Sequence, residues 1–365
     1  MHRRTEAPRT RRLHLVGAGL LLFLALQGCA GDAGRTISGA GATFAMPLVT
    51  LWSTEYQAAV GNRVDYNSIG SGGGIRAHID RTVDFGASEA PLHPDQEEQA
   101  PGTLTLPFTI GTVSLAYNVE GVDELRLTGE TLAEIYLGEI ERWDDERLQE
   151  LNPDAELPDA SIDVVHRSDG SGTTFIFTEY LSKVSEAWDE EVGYGTSVSW
   201  PEGIGGNGNE GVAGAIRNNT NAIGYVELGY AIETGMTTAA LENQEGVFLE
   251  PSLEAGTAAA AGAVDDLPAG DASWHGVSFT DAPGEDAYPI SGFSYFFIHG
   301  DLAEARDDMS RGRAEDVLEW MEWVMSEGQG YNEEVSQAPI PESVRELNLE
   351  TLDGVLYQGE PLRAP

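Results

Sequence analysis

The stretch Ile162-Asp163-Val164-Val165-His166-Arg167-Ser168-Asp169-Gly170-Ser171-Gly172-Thr173-Thr174-Phe175 changes character in its middle. Its first half is a short β-branched run of the kind that forms a buried strand, and its centre is a Gly/Ser/Asp turn. From Phe175 to Val184 the apolar residues recur at helical spacing. The segment therefore reads as strand, turn, helix. Two others repeat the pattern. Thr36-Ile37-Ser38-Gly39-Ala40-Gly41-Ala42-Thr43-Phe44 leads into an amphipathic run from Met46 to Val60, with Leu48, Leu51, Trp52 and Tyr56 on one face. Val64 to Ile69 leads through Gly70-Ser71-Gly72-Gly73-Gly74 into Ile75 to Ile79. Strands alternating with helices predict an α/β architecture. Further strands are expected at Gly111 to Asn118, Ala222 to Glu227 and Pro289 to His299, and a helix at Ala314 to Met325. Trp320 and Trp323 in that helix read as core packing rather than as a stacking platform. The Ala/Gly/Asp-rich stretch from Glu254 to Asp271 has weak periodicity and reads as a solvated excursion.

What does a chain gain from three Gly/Ser/Thr turns at helix starts? The first turn of a helix leaves backbone N–H groups unpaired and carries roughly half a positive charge, so such a turn is an anion cradle once glycine lets a ligand approach. Ser71, Ser171 and Thr173 add neutral donors, and Arg167 adds a permanently charged planar fork. One such turn is ordinary punctuation; three point to an oxyanion.

Composition agrees. The chain has 365 residues, enough for about two domains of roughly 150 residues each. Its 61 Asp and Glu against 20 Lys and Arg give a formal charge of −41, which repels nucleic acid and excludes that partner class. Lys183 is the single lysine, and an acidic, lysine-poor surface is suited to strong salt, where the Debye length falls to about 3 Å. Five arginines between Met1 and His14, the apolar run Leu15 to Leu26 and the closing Leu26-Gln27-Gly28-Cys29 read as a signal peptide over 1–28. That apolar run is too short to span a bilayer, which needs about 20 residues. Cys29, the sole cysteine, stands where a lipobox places the acylated residue, followed by a polar tether over 29–35. Thr10 to Leu15 also resembles a twin-arginine signal, so the export route stays open. A hydrolase is the rival reading, with Ser71 or Ser171 as nucleophile and His166, His275 or His299 as base. The Gly-x-Ser-x-Gly elbow is absent at both serines, and no histidine spacing suggests a metal.

Four stretches carry a family resemblance. Ser38 to Phe44, Ile69 to Gly74, Val83-Asp84-Phe85-Gly86-Ala87-Ser88-Glu89-Ala90-Pro91 and Arg167 to Phe175 closely resemble the substrate-binding protein of the high-affinity phosphate ABC transporter. Weaker echoes at Ile135 to Gly138, Trp143 to Asp145, Leu151 to Pro153, Gly203 to Asn209 and Ala222 to Glu227 extend the likeness over most of the chain from Ser38. The resemblance implies a two-lobed periplasmic-binding-protein fold of type II, each lobe a mixed sheet flanked by helices, with a hinge between. Residues 36–112 and 288–365 would form one lobe and 113–287 the other. It implies inorganic phosphate held by Thr43 and Phe44, by Ser71, and by Arg167, Ser171, Gly172 and Thr173, with Asp169 holding Arg167. Glu89 stands where the family has an aspartate that accepts the proton of the bound hydrogen phosphate. The expected protein is an exported, lipid-anchored monomer that needs no cofactor, performs no catalysis and hands phosphate to a membrane permease. Sulfate, molybdate or tungstate are the alternative ligands.

Loss of residues 1–28 removes five arginines and Glu6, taking the formal charge from −41 to −45. Long-range repulsion should then oppose capture of an anion, so raising salt should speed phosphate association by screening the surface more than a buried cradle. Stopped-flow binding between low and molar salt checks this, and a rate that falls steadily in folded protein contradicts it.

Overall fold

A computed structural model describes residues 36–264 and 267–363; the leader, the tether and Cys29 lie outside them. Nine strands form the main sheet: β1 Thr36–Gly41, β2 Arg63–Ser68, β3 Phe85–Ser88, β4 Thr103–Asn118, β5 Asp163–Arg167, β6 Ile204–Gly206, β7 Ala222–Glu227, β8 Thr237–Thr238 and β9 Ser291–His299. Their order is β2-β1-β3-β9-β4-β7-β5-β6, with β8 added to β4. The three strand–turn–helix segments run parallel to their neighbours, β1 with β2 and β3, and β5 with β6 and β7, while β9 and β4 are antiparallel to each other.

Everything turns on β4. Its residues 103–112 pair with β9, and residues 113–118 pair with β7, so one 16-residue strand serves two half-sheets and changes partner between Thr112 and Val113. The chain makes its second passage beside the first, where Val113 N donates to Ile290 O at 2.9 Å. The carboxyl ends of β1, β3, β5 and β7 all meet at the junction of the two halves, the usual place for a ligand in an α/β sheet.

Strand β4 begins eight residues before the sequence pattern suggested. Leu104, Leu106, Phe108 and Ile110 are buried, but Pro107, a residue ordinarily unfavourable inside a sheet, interrupts the run. The register between β4 and β9 shifts at Ser294/Tyr295, and Pro107 lies opposite Tyr295 at that irregularity, which tolerates a residue with no N–H to offer. The helix Arg311–Met325 starts three residues earlier than expected, with Ser310 Oγ accepting from Arg313 N. Trp320 and Trp323 pack as anticipated: Trp320 is fully buried, edge-on to Trp52 and Tyr56, and stacked at 5.9 Å on Trp323. A second aromatic centre lies elsewhere, in which Phe177 stacks on Tyr225 at 4.3 Å and meets Tyr136 edge-on.

One expectation is overturned. The stretch from Glu254 is not a solvated excursion but opens as the helix Leu253–Ala261, capped by Ser252 Oγ accepting from Ala255 N, with Ala255, Gly256, Ala259 and Ala260 buried. Alanine is the best helix former, and a face of Ala and Gly carries little hydropathy contrast, so the periodicity was invisible. Small residues are needed because the helix lies on β4 where it changes partner; a Cβ on Gly256 would come within 2.3 Å of Thr112 Oγ1. No helix among the described residues is long and apolar enough to cross a membrane.

Two segments far apart in the chain are tied together by a buried ion pair. Asp84, fully buried beside β3, accepts from Ser38 N and Oγ at 2.7 and 2.9 Å and from Arg313 Nε and Nη2 at 2.9 and 2.6 Å. Arg313→Met leaves that carboxylate without its counter-charge, and removing one partner of such a pair costs about 3 kcal/mol. Chemical denaturation in high salt should show a loss of this size; a change below about 0.5 kcal/mol would mean that the serine donors alone suffice.

Candidate functional site

The site is assembled from turns that leave four strands. After β1 the chain turns through Ala42, Thr43 and Phe44 into the helix Met46–Ala59. After β2, Gly70 takes φ +78° and the helix Ser71–Ile79 begins at Ser71 itself, rather than beyond Gly74. After β5, Ser171 caps the helix Gly172–Val184, its Oγ accepting from Thr174 N at 3.1 Å. After β6, the helix Gly208–Asn218 starts beside the same space. Among the described residues, the N–H groups of Phe44, Ser71 and Thr173 donate to no protein acceptor, as the start of a helix leaves them.

The two lobes touch through these turns. Gly72 N donates to Gly170 O at 3.0 Å, and Gly172 N to Ser71 Oγ at 2.9 Å. The approach admits no side chain at Gly70, where a Cβ would sit 2.4 Å from Asp169 Oδ2. Tyr230 OH donates to Thr43 O at 2.8 Å, and Asn209 N and Nδ2 both donate to Thr43 Oγ1, at 3.2 and 3.1 Å.

All the residues expected at the site are buried there, with the exception of Asp169, which keeps a 13% exposed side chain. Arg167 is fixed as a bidentate donor, Nε to Asp169 Oδ1 at 2.8 Å and Nη2 to Asp169 Oδ2 at 2.5 Å, while Nη1 reaches Thr173 Oγ1 at 3.3 Å. Burial raises the Asp169 pKa, but the guanidinium and the Gly208 N–H outweigh it and hold the carboxyl below its usual range. The ring of Phe44 is a core element, and its backbone faces the site; Phe44 O accepts from Gln337 Nε2 at 2.8 Å.

Glu89 is the unusual member. Its Oε2 accepts from Ser71 Oγ at 2.8 Å and its Oε1 from Ser294 Oγ at 3.2 Å. Burial pushes its pKa up to about 7 against the pull of both serines and of Arg167. Ser71 thus spends its proton on Glu89 and orients the carboxyl rather than standing free as a donor.

Four participants escaped the sequence reading. Asn209 bridges Thr43 and Thr173 and is fully buried. Tyr225 OH receives Arg167 N at 3.0 Å and bonds Thr174 Oγ1 at 2.7 Å, fixing the base of the third turn. Tyr230 is the cross-lobe donor. Glu227, fully buried at the end of β7, is raised to about 8 by burial despite N–H bonds from Gly229 and Tyr230. Asn, Tyr and Glu at the end of a strand look like ordinary turn or cap residues, and only the Gly203 to Asn209 and Ala222 to Glu227 echoes pointed their way.

The histidines considered as bases lie elsewhere. His166 stacks on Trp200 at 4.8 Å, His299 on His78 at 4.4 Å, and His275 meets His93 edge-on at 5.1 Å. Among the described residues no cluster of His, Cys, Asp and Glu is placed to hold a metal ion.

Residues 29–327 match the model of a PBP superfamily domain. The phosphate-binding protein PstS of Xylella fastidiosa strain 9a5c is 43% identical over 307 residues, covering 84% of this chain and 81% of that one. PstS of Pasteurella multocida strain Pm70 is 41% identical over 312 residues, covering 85% and 88%. A high affinity periplasmic phosphate-binding protein, solved with phosphate bound at pH 8.5, aligns with a TM-score of 0.67 at 18% identity over 88% of this chain and 99% of that one, a likeness of two-lobed fold.

The two buried glutamates make the ligand-free protein sensitive to alkali. Both pKa values are raised above the ordinary glutamate value of 4.5, so the folded state prefers them protonated; their stabilisation is full below about pH 4.5 and is lost as pH rises through about 7 for Glu89 and about 8 for Glu227. Glu89→Gln should remove the Glu89 share, so that the fall in unfolding free energy between pH 5 and pH 8 shrinks by about 3 kcal/mol. Denaturant unfolding at the two pH values without added anion reads this directly, and an identical pH dependence in wild type and variant contradicts it.

Proposed function

The chain belongs to the PBP superfamily and to the phosphate-binding proteins named PstS, and from that premise we propose that it captures inorganic phosphate between its lobes for delivery to an ABC-type importer. The observation that carries this reading is the buried carboxyl of Glu89, held by Ser71 and Ser294 within the electrostatic reach of Arg167 and titrating near neutrality. A carboxyl so enclosed tolerates an oxyanion only with a hydrogen between them, since lone pair against lone pair costs several kcal/mol. Hydrogen phosphate brings that hydrogen at neutral pH; sulfate, and likewise molybdate or tungstate, does not.

The remaining charge is met by Arg167, by the N–H groups of Phe44, Ser71 and Thr173, and by the dipoles of the helices that start at Met46, Ser71 and Gly172. Ser171 and Asp169 act indirectly, the first as helix cap and the second as the clamp on Arg167. The partner change of β4 at Thr112/Val113 and the neighbouring passage at Ile290 support lobes of 36–112 with 288–365 and of 113–287, turning about those two crossings. The leader and Cys29 support an exported protein tethered by lipid at the outer face of a membrane, where it would deliver to its permease. The acidic surface supports work in strong salt. No step here calls for catalysis or a cofactor.

Isothermal titration with phosphate and sulfate at pH 8 and pH 5 in molar salt tests the reading. At pH 8 the wild type should bind phosphate and exclude sulfate; at pH 5 a protonated Glu89 offers its own O–H, and sulfate should gain at least tenfold relative to phosphate. In Glu89→Gln the preference should be nearly independent of pH. Equal binding of both anions at pH 8 would defeat the proposal.

A further inference from the structure

Asn209 lies at the second position of the helix Gly208–Asn218, fully buried between the lobes. The two ends of its amide are told apart by a neighbour: Glu227 N donates to Oδ1 at 3.1 Å, and a backbone N–H can donate only to the oxygen. The NH2 group therefore faces the other way, where Nδ2 reaches Thr43 Oγ1 at 3.1 Å and Thr173 Oγ1 at 3.2 Å. These threonines come from opposite lobes. Each hydroxyl oxygen has two lone pairs and one hydrogen. Thr43 Oγ1 accepts from Asn209 Nδ2 and from Asn209 N, and Thr173 Oγ1 accepts from Asn209 Nδ2 and from Arg167 Nη1 at 3.3 Å. Thr173 Oγ1 also lies 3.5 Å from Asn209 Oδ1, well beyond the roughly 2.5–3.0 Å of an effective O–H···O bond, so with both lone pairs engaged each hydroxyl has its hydrogen left to offer. A threonine hydroxyl by itself presents a lone pair to an anion as readily as a proton; here the choice is made in advance.

We propose that Asn209 is a positioning residue that sets the polarity of the anion site, directing the hydroxyl hydrogens of Thr43 and Thr173 toward the bound oxyanion. The inference rests on the phosphate reading above and deepens it. Asn209 touches no ligand atom on this account; its part is to spare the anion the work of turning two hydroxyls. It also makes the donor set of both lobes depend on one residue, so that the hydroxyls point inward only when the lobes are together.

The test compares two variants of similar size. Asn209→Leu removes the side-chain donors and acceptor and frees one lone pair of each hydroxyl, so that neither hydrogen is directed any longer. Asn209→Asp keeps the acceptor for Glu227 N but replaces NH2 by oxygen, so Thr43 and Thr173 must turn their hydrogens away from the anion to satisfy it. If Asn209 sets polarity, titration with inorganic phosphate ranks affinity as wild type above Leu above Asp, with Asp at least tenfold weaker than Leu. A role in packing alone predicts the reverse order, because Asp is the closer isostere. To separate polarity from the added negative charge, the Asp substitution is repeated on Thr43→Val: its penalty should shrink at least threefold where the hydroxyl it misdirects is absent. An Asp variant that binds as well as or better than Leu, or a penalty undiminished in Thr43→Val, overturns the inference, with thermal unfolding of each variant confirming that folded protein is compared. Absence of phosphate binding in the wild type would overturn the anion reading itself and this inference with it.

Discussion

Gly72 N–H meets Gly170 O at 3.0 Å across the junction of the lobes, backbone to backbone. A Cβ added to either glycine would approach the other's backbone to 3.1 Å, closer than most such contacts. A small, strongly hydrated anion can be taken from water only if donors surround it, and a donor set drawn from two lobes reaches that density only when the lobes come this near. The glycines are therefore less a phosphate motif than a closure motif. The same contact sets Gly172 N on Ser71 Oγ and brings Asn209 against Thr43, so the hydroxyl, amide and carboxyl network of the site depends on it.

Inside the junction the electrostatics run against those of the surface. A formal charge of −41 surrounds a site whose one arginine is matched by Asp169. With Glu89 and Glu227 also buried nearby, the site carries no excess of formal positive charge, and what it offers an anion is oriented dipoles and one shared proton. Such groups are screened little by salt, whereas the surface field is screened strongly. This separation lets an acidic exterior coexist with an interior built to receive an anion. On the function proposed above, discrimination falls to Glu89, whose carboxyl is held by two serine donors, Ser71 and, from β9, Ser294.

Much of this was legible in the residues alone. The strand–turn–helix segments could be read because a change of period marks each boundary, and the turns at helix starts pointed to an anion because their unpaired N–H groups are a consequence of backbone geometry, while Thr43, Phe44, Gly172, Glu89 and Asp169 entered only through the family resemblance. What stayed hidden was either small or buried and polar. The helix Leu253–Ala261 hides because alanine and glycine give no hydropathy contrast, although their smallness is what lets it lie over Thr112. Strand β4 hides behind Pro107, admitted by an irregularity that only the partner strand reveals. Asn209, Tyr225 and Tyr230 act through partners 18 to 187 residues away in the chain, a distance over which local pattern carries no signal, and Glu227 looks locally like a helix cap.

The position of a bound phosphate ion tests the proposed function most directly. A crystal structure of the complex, grown in high salt near neutral pH, measures this without inference. Phosphorus is expected between the lobes, with its oxygens within hydrogen-bond reach of Arg167, Thr43, Thr173 and the N–H of Phe44, and one oxygen within about 2.7 Å of a Glu89 carboxyl oxygen, a separation that demands a hydrogen between them. Phosphate bound outside the junction, or held there with Glu89 turned away and Asp169 in its place, would contradict it.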